Sequence, residues 1–185
     1  MSELSDKELL ELFRQKDRRH YAFDLLVRQY QERLYNYVRR MVTDHQDAED
    51  VLQNVFIKAW RGLDKFREDA QLFSWLYRIA HNESITHLKR VKRGLFVDHE
   101  AVFERLTASL DHGEQFSGDA IERKLQRAVM RLPEKQRSVF TMKYFQEMKY
   151  HEISAITGTS IGALKSSYHI AVRKIEEHLT SDQTK

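Results

Sequence analysis

The chain has 185 residues, with 31 Lys and Arg against 28 Asp and Glu for a net charge of +3, one proline, six glycines and no cysteine. That length suits one or two small domains, and the missing cysteine excludes a disulfide framework, a thiolate zinc site and a cysteine nucleophile. No apolar run approaches the roughly 20 residues of a membrane span, and the acidic opening MSELSDKELLEL lacks the order of a signal peptide, so a soluble, cytoplasmic protein without membrane insertion is expected.

Helix formers dominate and hairpin-like alternation is missing, so the expected fold class is all-α. Ser5 with Glu8 spells a capping box that opens a short helix to about Gln15. A second helix over 19–42 places Phe23, Leu26, Tyr30, Leu34, Tyr37 and Met41 at steps of three and four, which is one buried stripe. Asp44 caps a third helix that stops at Gly62, with Ala48, Val51, Leu52, Val55 and Ala59 inside. After the polar stretch DKFREDAQ, a fourth helix runs through LFSWLYRIAHNESITHLKRVKR to Gly94, and its closing Lys/Arg run suits the dipole of a helix C-terminus.

The charge then changes sign. Residues 1–94 carry a net +3, residues 95–119 carry −5 and residues 120–185 carry +5. The acidic stretch, with two glycines besides Gly94 and no sustained apolar stripe, reads as a flexible linker with room for one short helical turn. Two small helical domains are therefore expected, over 1–94 and 120–185, joined by an acidic linker over 95–119. A fifth helix over 120–131 stops where Pro133 disfavours the helical conformation of its predecessor. Pro133 takes the first position of a sixth helix, which reaches about Glu147. A seventh helix over 151–157 is closed by Gly158, and Ser160 caps an eighth over 161–179.

The last two helices form a helix-turn-helix. Ser154 is small enough for close packing, and Gly158, four residues on, suits a left-handed turn. Ile153, Ile156, Leu164, Tyr168, Ala171 and Ile175 close on a shared core. The opposite face presents Lys165, Ser166, His169 and Arg173, and the helix start at Ile161 and Gly162 leaves backbone N–H groups free for a phosphate. The alternative is an ordinary helical hairpin that packs and does nothing else.

The fourth helix and the loop before it interleave Phe66, Phe73, Trp75 and Tyr77 with Arg67, Arg78, Lys89, Arg90, Lys92 and Arg93, a mixture that suits single-stranded nucleic acid. Leu72, Trp75, Leu76 and Ile79 form a stripe that assigns Trp75 to the core. Phe66, in the loop, and Asn82, polar in a mostly apolar helix, are the better contact candidates.

These residues together resemble the extracytoplasmic-function (ECF) bacterial RNA polymerase sigma factors. DAEDVLQNVFIKAW (47–60) resembles that family's polymerase-binding helix, FSWLYRIAHNESITHLKR its promoter-melting helix, and the stretch from LPEKQRSVF to the C-terminal helix its second DNA-binding domain. The resemblance implies a non-enzymatic transcription initiation factor that needs no cofactor or metal. Its implied partners are core RNA polymerase, through the β′ clamp helices and the β flap, promoter DNA, and an anti-sigma factor. Asp47, Asp50, Gln53 and Asn54 match polymerase-docking positions. Asn54 stands where relatives often carry Glu. Phe66, Arg67, Asn82, Lys89 and Arg90 match the part that takes the minus-ten element. Gly162, Lys165, Ser166, His169 and Arg173 match the minus-thirty-five reader, whereas Ser167 and Ile170 stand where relatives often carry Arg.

Two other classes compete. A dimeric helix-turn-helix repressor or response-regulator output domain needs only residues 120–185. An enzyme has little support: His45, Asp47, Glu49 and Asp50 cluster, but neighbours on a helix diverge by about 100° and do not all face one ion.

Overall fold

The computed structural model describes residues 4–67, 70–95, 98–111 and 120–181, apart from the side chain of Asp111. Every regular element among them is helical. The N-terminal unit comprises α1 (Asp6–Arg14), α2 (Arg19–Val42), α3 (His45–Gly62) and α4 (Leu72–Gly94). Ser5 and Glu8 close the expected capping box: the Glu8 carboxylate accepts from the Ser5 N–H at 2.7 Å and the Ser5 hydroxyl accepts from the Glu8 N–H. The Asp44 carboxylate accepts from the Asp47 N–H at 3.0 Å and starts α3. The expected stripes are the core: Leu26, Leu34, Tyr37 and Met41 of α2 meet Ala48, Val55 and Ala59 of α3 and Leu76, Tyr77 and Ala80 of α4.

The acidic stretch differs from its expectation. Where one helical turn was expected stands a nine-residue helix, α5 (His99–Thr107), followed by a 3-10 turn over Ala108–Asp111. The Asp98 carboxylate caps it by accepting from the Glu100 and Ala101 N–H groups. Val102, Leu106 and Leu110, four residues apart, are buried beneath it. This stripe is only three residues deep and is diluted by acids, which hid it from the periodicity. Residues 96–97 and 112–119 of the expected linker lie outside the described residues.

The C-terminal unit comprises α6 (Ala120–Met130), α7 (Glu134–Phe140), α8 (Tyr150–Thr157) and α9 (Ile161–Ser181). Pro133 stands at the cap of α7 with an extended ψ of 147°, one residue before the helix it was expected to begin. The sixth helix is also shorter than expected. It passes into a wider π turn over Thr141–Phe145, and Glu147 then takes a positive φ of 53° that ends the helical path. Gly158 closes α8 with φ +71°, and its N–H reaches the Ser154 carbonyl at 2.9 Å.

The two units are packed on each other, and one apolar cluster runs through both. Met130, Val139, Met142, Met148, Ile153, Ile156 and Leu164 join the core of α1–α4. A smaller cluster of Val129, Leu132, Phe140, Ala171 and Ile175 belongs to the C-terminal unit alone. Polar contacts line the seam. Gln126, fully buried, donates to the Arg40 carbonyl at 2.9 Å. Tyr77 donates to the Gln146 side-chain oxygen at 2.8 Å. Arg137 is also buried, and its guanidinium donates to the Met130 carbonyl at the end of α6, to the Leu132 carbonyl just beyond it and to the Met41 carbonyl of α2.

Candidate functional site

Three surfaces carry the residues singled out from sequence. The first is the outer face of α3. Ala48, Val51, Val55 and Ala59 turn inward, which leaves Asp50, Gln53 and Asn54 exposed together. Ile57 lies on the same stripe, one turn beyond Asn54, and is 42% exposed although large and apolar. The sequence reading missed it. Its signal was the spacing, seven residues from Asp50, at a position where α3 needs no core residue.

Asp47 does not share that exposure. Its carboxylate faces the His87 imidazole of α4 at 3.3 Å and the Arg105 guanidinium of α5 at 3.2 Å, and its side chain is 17% exposed. His45 and Glu49 pair with each other instead. The acidic cluster around Asp47 therefore points in several directions, and among the described residues no three His, Asp or Glu side chains converge as a metal site needs.

The second surface is α4 with the segment before it. Asn82, Lys89 and Arg90 are exposed, and Arg78, Thr86 and Arg93 continue the same helical face. Arg67, in the segment before α4, is also exposed. Phe66 is not: it is buried against Trp75, with ring centres 5.2 Å apart. The packing is close, because a Cβ on Gly62 would stand 3.0 Å from the Trp75 ring. Phe66 also forms part of the wall of a cleft of about 560 Å³ between α1, α2, the start of α4 and α8, together with Tyr30, Arg33 and Phe73. Tyr30 donates to Asp6 there at 2.6 Å, and burial raises its phenol well above the ordinary tyrosine range.

The third surface is α9. The Ser160 hydroxyl accepts from the Ala163 N–H at 3.3 Å, and Leu164, Ala171 and Ile175 are buried beneath. The outer face holds Gly162, Lys165, Ser166, His169 and Arg173, all exposed. The Ser166 hydroxyl donates to the Gly162 carbonyl at 3.2 Å, a local bond that competes with any contact made outward. The Lys165 ammonium lies 5.9 Å above the Tyr150 ring of α8. Tyr168 is half-buried, as its core assignment required, and Ile170 is exposed beside the basic face.

His81 of α4 stands between the units. Its Nδ1 lies 3.1 Å from the Tyr37 hydroxyl and 3.2 Å from the Ser138 hydroxyl of α7. Burial lowers its pKa, which favours the neutral ring at this seam. The Tyr77 phenol is pushed up to about 12 by burial and remains a donor. These seam groups were not anticipated, because a polar residue at a helix position gives no sign of which distant element it will meet.

Comparison with known proteins identifies the family. The pattern of Sigma-70 region 2 matches residues 26–94 and that of Sigma-70 region 4 matches residues 122–175. The RNA polymerase sigma-H factor of Pseudomonas aeruginosa is 32% identical over 189 aligned positions, covering 97% of this chain and 96% of that protein. The ECF RNA polymerase sigma-E factor of Escherichia coli is 34% identical over 175 positions, covering 90% of each. Among solved structures, the sigma factor RpoE in complex with the anti-sigma factor NepR from Bartonella quintana superposes with a TM-score of 0.70 at 26% identity, covering 86% of this chain and 98% of that one. CnrH in complex with the cytosolic domain of CnrY superposes with a TM-score of 0.68 at 24% identity, covering 96% and 98%, and shares the fold.

Proposed function

The chain belongs to the ECF RNA polymerase sigma factors, and from that membership we propose how its surfaces divide the work of initiating transcription. Residues 1–94 form the unit that docks on core RNA polymerase and takes the minus-ten element, 95–119 connect, and 120–185 read the minus-thirty-five element. Asp50, Gln53 and Asn54 meet the β′ clamp helices, with Ile57 as an apolar contact beside them. Asp47 joins them once it leaves Arg105 and His87. The single observation that supports this best is the α3 stripe: three polar side chains and one bare isoleucine share a face that the fold leaves uncovered.

Arg67, Lys89 and Arg90 meet phosphates, which position a protein on DNA without reading it. Asn82 and Phe66 serve unpaired minus-ten bases. Extruding a base costs a few kcal/mol of stacking and pairing, which a fitted pocket offsets. Lys165, Ser166 and His169 enter the major groove, where each good base contact is worth about 1–3 kcal/mol of discrimination. Gly162 and Arg173 hold the flanking backbone, and the C-terminal unit meets the β flap. An anti-sigma factor restrains the chain, as NepR pairs with the sigma factor of Bartonella quintana. The work is done in the cytoplasm and involves no catalysis by the chain itself. No helix among the described residues is long and apolar enough to cross a membrane.

The test is capture of core polymerase by wild type and by Asp50→Arg. The substitution reverses a charge on an exposed face, so capture is expected to vanish while the helical circular dichroism stays unchanged. Normal capture by a folded Asp50→Arg protein removes α3 from the docking role.

A further inference from the structure

The outer face of α9 carries one large apolar side chain, Ile170, which is 44% exposed. A lone surface isoleucine is ordinary, but this one stands next to His169, among the side chains proposed above to enter the major groove. The buried Leu164, Ala171 and Ile175 fix the inward direction of the helix. At about 100° per residue, Ile170 lies about 60° from the opposite direction, nearer the middle of the outer face than Lys165 at about 80°. Ala163, two turns earlier on the same strip, is also exposed.

The polar groups along that strip are already engaged. Ser166, between Ala163 and Ile170, donates its hydroxyl to the Gly162 carbonyl at 3.2 Å. Lys174, one turn beyond Ile170, donates to the Gln136 side-chain oxygen of α7 at 3.1 Å. The exposed Lys165, His169 and Arg173 lie to one side of the strip. The strip therefore offers a base an aliphatic surface. In the major groove, guanine, adenine and cytosine present only donors and acceptors, and thymine alone adds an apolar group, its C5-methyl. An isoleucine laid on a polar edge leaves that edge without a partner, at a cost. Laid on the methyl, it removes apolar surface from water.

We propose that Ile170 is a specificity-determining residue of α9, selecting a thymine of the minus-thirty-five element through its methyl group, with Ala163 as the smaller apolar neighbour along the strip. The inference rests on α9 as the minus-thirty-five reader and adds the identity of one base that the polar side chains leave unread.

The test uses the full chain assembled with core polymerase. Duplexes randomised across the minus-thirty-five region are selected by wild type, Ile170→Ala and Ile170→Arg. The duplex enriched by wild type is then remade with deoxyuridine in place of each thymine in turn, which removes one methyl group and nothing else. Wild type is expected to enrich a thymine at one position and to bind about fourfold more weakly when it becomes deoxyuridine, the effect of one buried methyl at about 0.8 kcal/mol. Ile170→Ala is expected to lose that preference and that methyl effect at the same position alone. Ile170→Arg is expected to exchange the thymine for guanine, whose O6 and N7 accept from a guanidinium. Both variants are expected to melt with wild type, because the side chain is exposed. No deoxyuridine effect at any thymine, or the same effect in Ile170→Ala, overturns the proposal, and the second result gives the isoleucine to a protein partner instead. Lys165→Ala run alongside keeps the failures apart. If it and both Ile170 variants enrich the wild-type duplex with unchanged affinity, the reading of α9 itself falls, whereas an altered Lys165→Ala selection without a methyl effect overturns only the role of Ile170.

Discussion

Replacing Arg137 by methionine tests what holds the seam. Arg137 is 5% exposed, and its guanidinium donates to three carbonyls: Met130 at 2.8 Å, Leu132 at 3.2 Å and Met41 at 3.3 Å. The first belongs to the last residue of α6, where helix carbonyls have no partner of their own and the dipole favours a cation, and the second to Leu132, two residues beyond it. The third belongs to α2. Bonds from a charged donor are worth about 1.5–3 kcal/mol each, so the three together give about 4–9 kcal/mol. Burial works against them. It pulls the Arg137 pKa down from 12.5 to about 10, and at about 1.4 kcal/mol per unit that is roughly 3 kcal/mol against the charged form. The charge persists at pH 7, and the bonds win by a few kcal/mol. Methionine fills most of the space, gives up both terms and leaves three buried carbonyls without their donor. The expected loss is about 3 kcal/mol, or a fall in melting temperature of about 6–12 °C for a chain of this size, followed by circular dichroism at 222 nm. An equal or higher melting temperature refutes the reasoning: burial of the charge would then outweigh its bonds, as happens when some buried ion pairs are replaced by apolar side chains.

Gly158→Ala is expected to cost about 1–2 kcal/mol of stability, because φ is +71° and no atom lies within 4 Å of the new Cβ, so the penalty is torsional rather than steric. Urea denaturation measures it, with weaker minus-thirty-five duplex binding alongside. His81 binds its proton less readily in the folded, closed state than in the unfolded chain, because burial lowers its pKa. Its contribution is therefore fully present above the ordinary histidine value of about 6.5 and is lost as pH falls below it, at no more than about 1.4 kcal/mol per pH unit. Comparing stability at pH 7.5 and 5.5, His81→Gln is expected to show a smaller drop than wild type, and an identical drop assigns the effect to other groups. Lys165→Ala is expected to weaken minus-thirty-five duplex binding by about 1–3 kcal/mol, read by fluorescence anisotropy at fixed salt, with no change in melting temperature because the side chain is exposed.

Much of the fold was legible because helical periodicity records burial locally. The stripe of α2 needed only its own residues to be read, and so did the cap at Asp44 and the turn at Gly158. What escaped was set by distant chain. Gln126 and Arg137 look like solvated helix residues until α2 is laid across them, and both are then buried. The π turn after Phe140 and the positive φ of Glu147 likewise answer to packing rather than to local preference.

The candidate site divides along the same line. Lys165, Ser166, His169 and Arg173 share an exposed face because helix spacing alone decides that. Asp47 and Asp50 also lie on neighbouring positions of one helix, yet only Asp50 is open to solvent. The residues that distinguish them are His87 of α4 and Arg105, 58 positions along the chain. Phe66 differs from Arg67 in the same way: adjacent in sequence, one is packed on Trp75 and the other is exposed. Spacing thus tells which side chains can act together, and long-range packing tells which of them are free to act. In this chain the two covered side chains, Asp47 and Phe66, lie on the surfaces proposed above to meet polymerase and melted DNA, and the exposed set on α9 lies on the proposed reader of intact duplex.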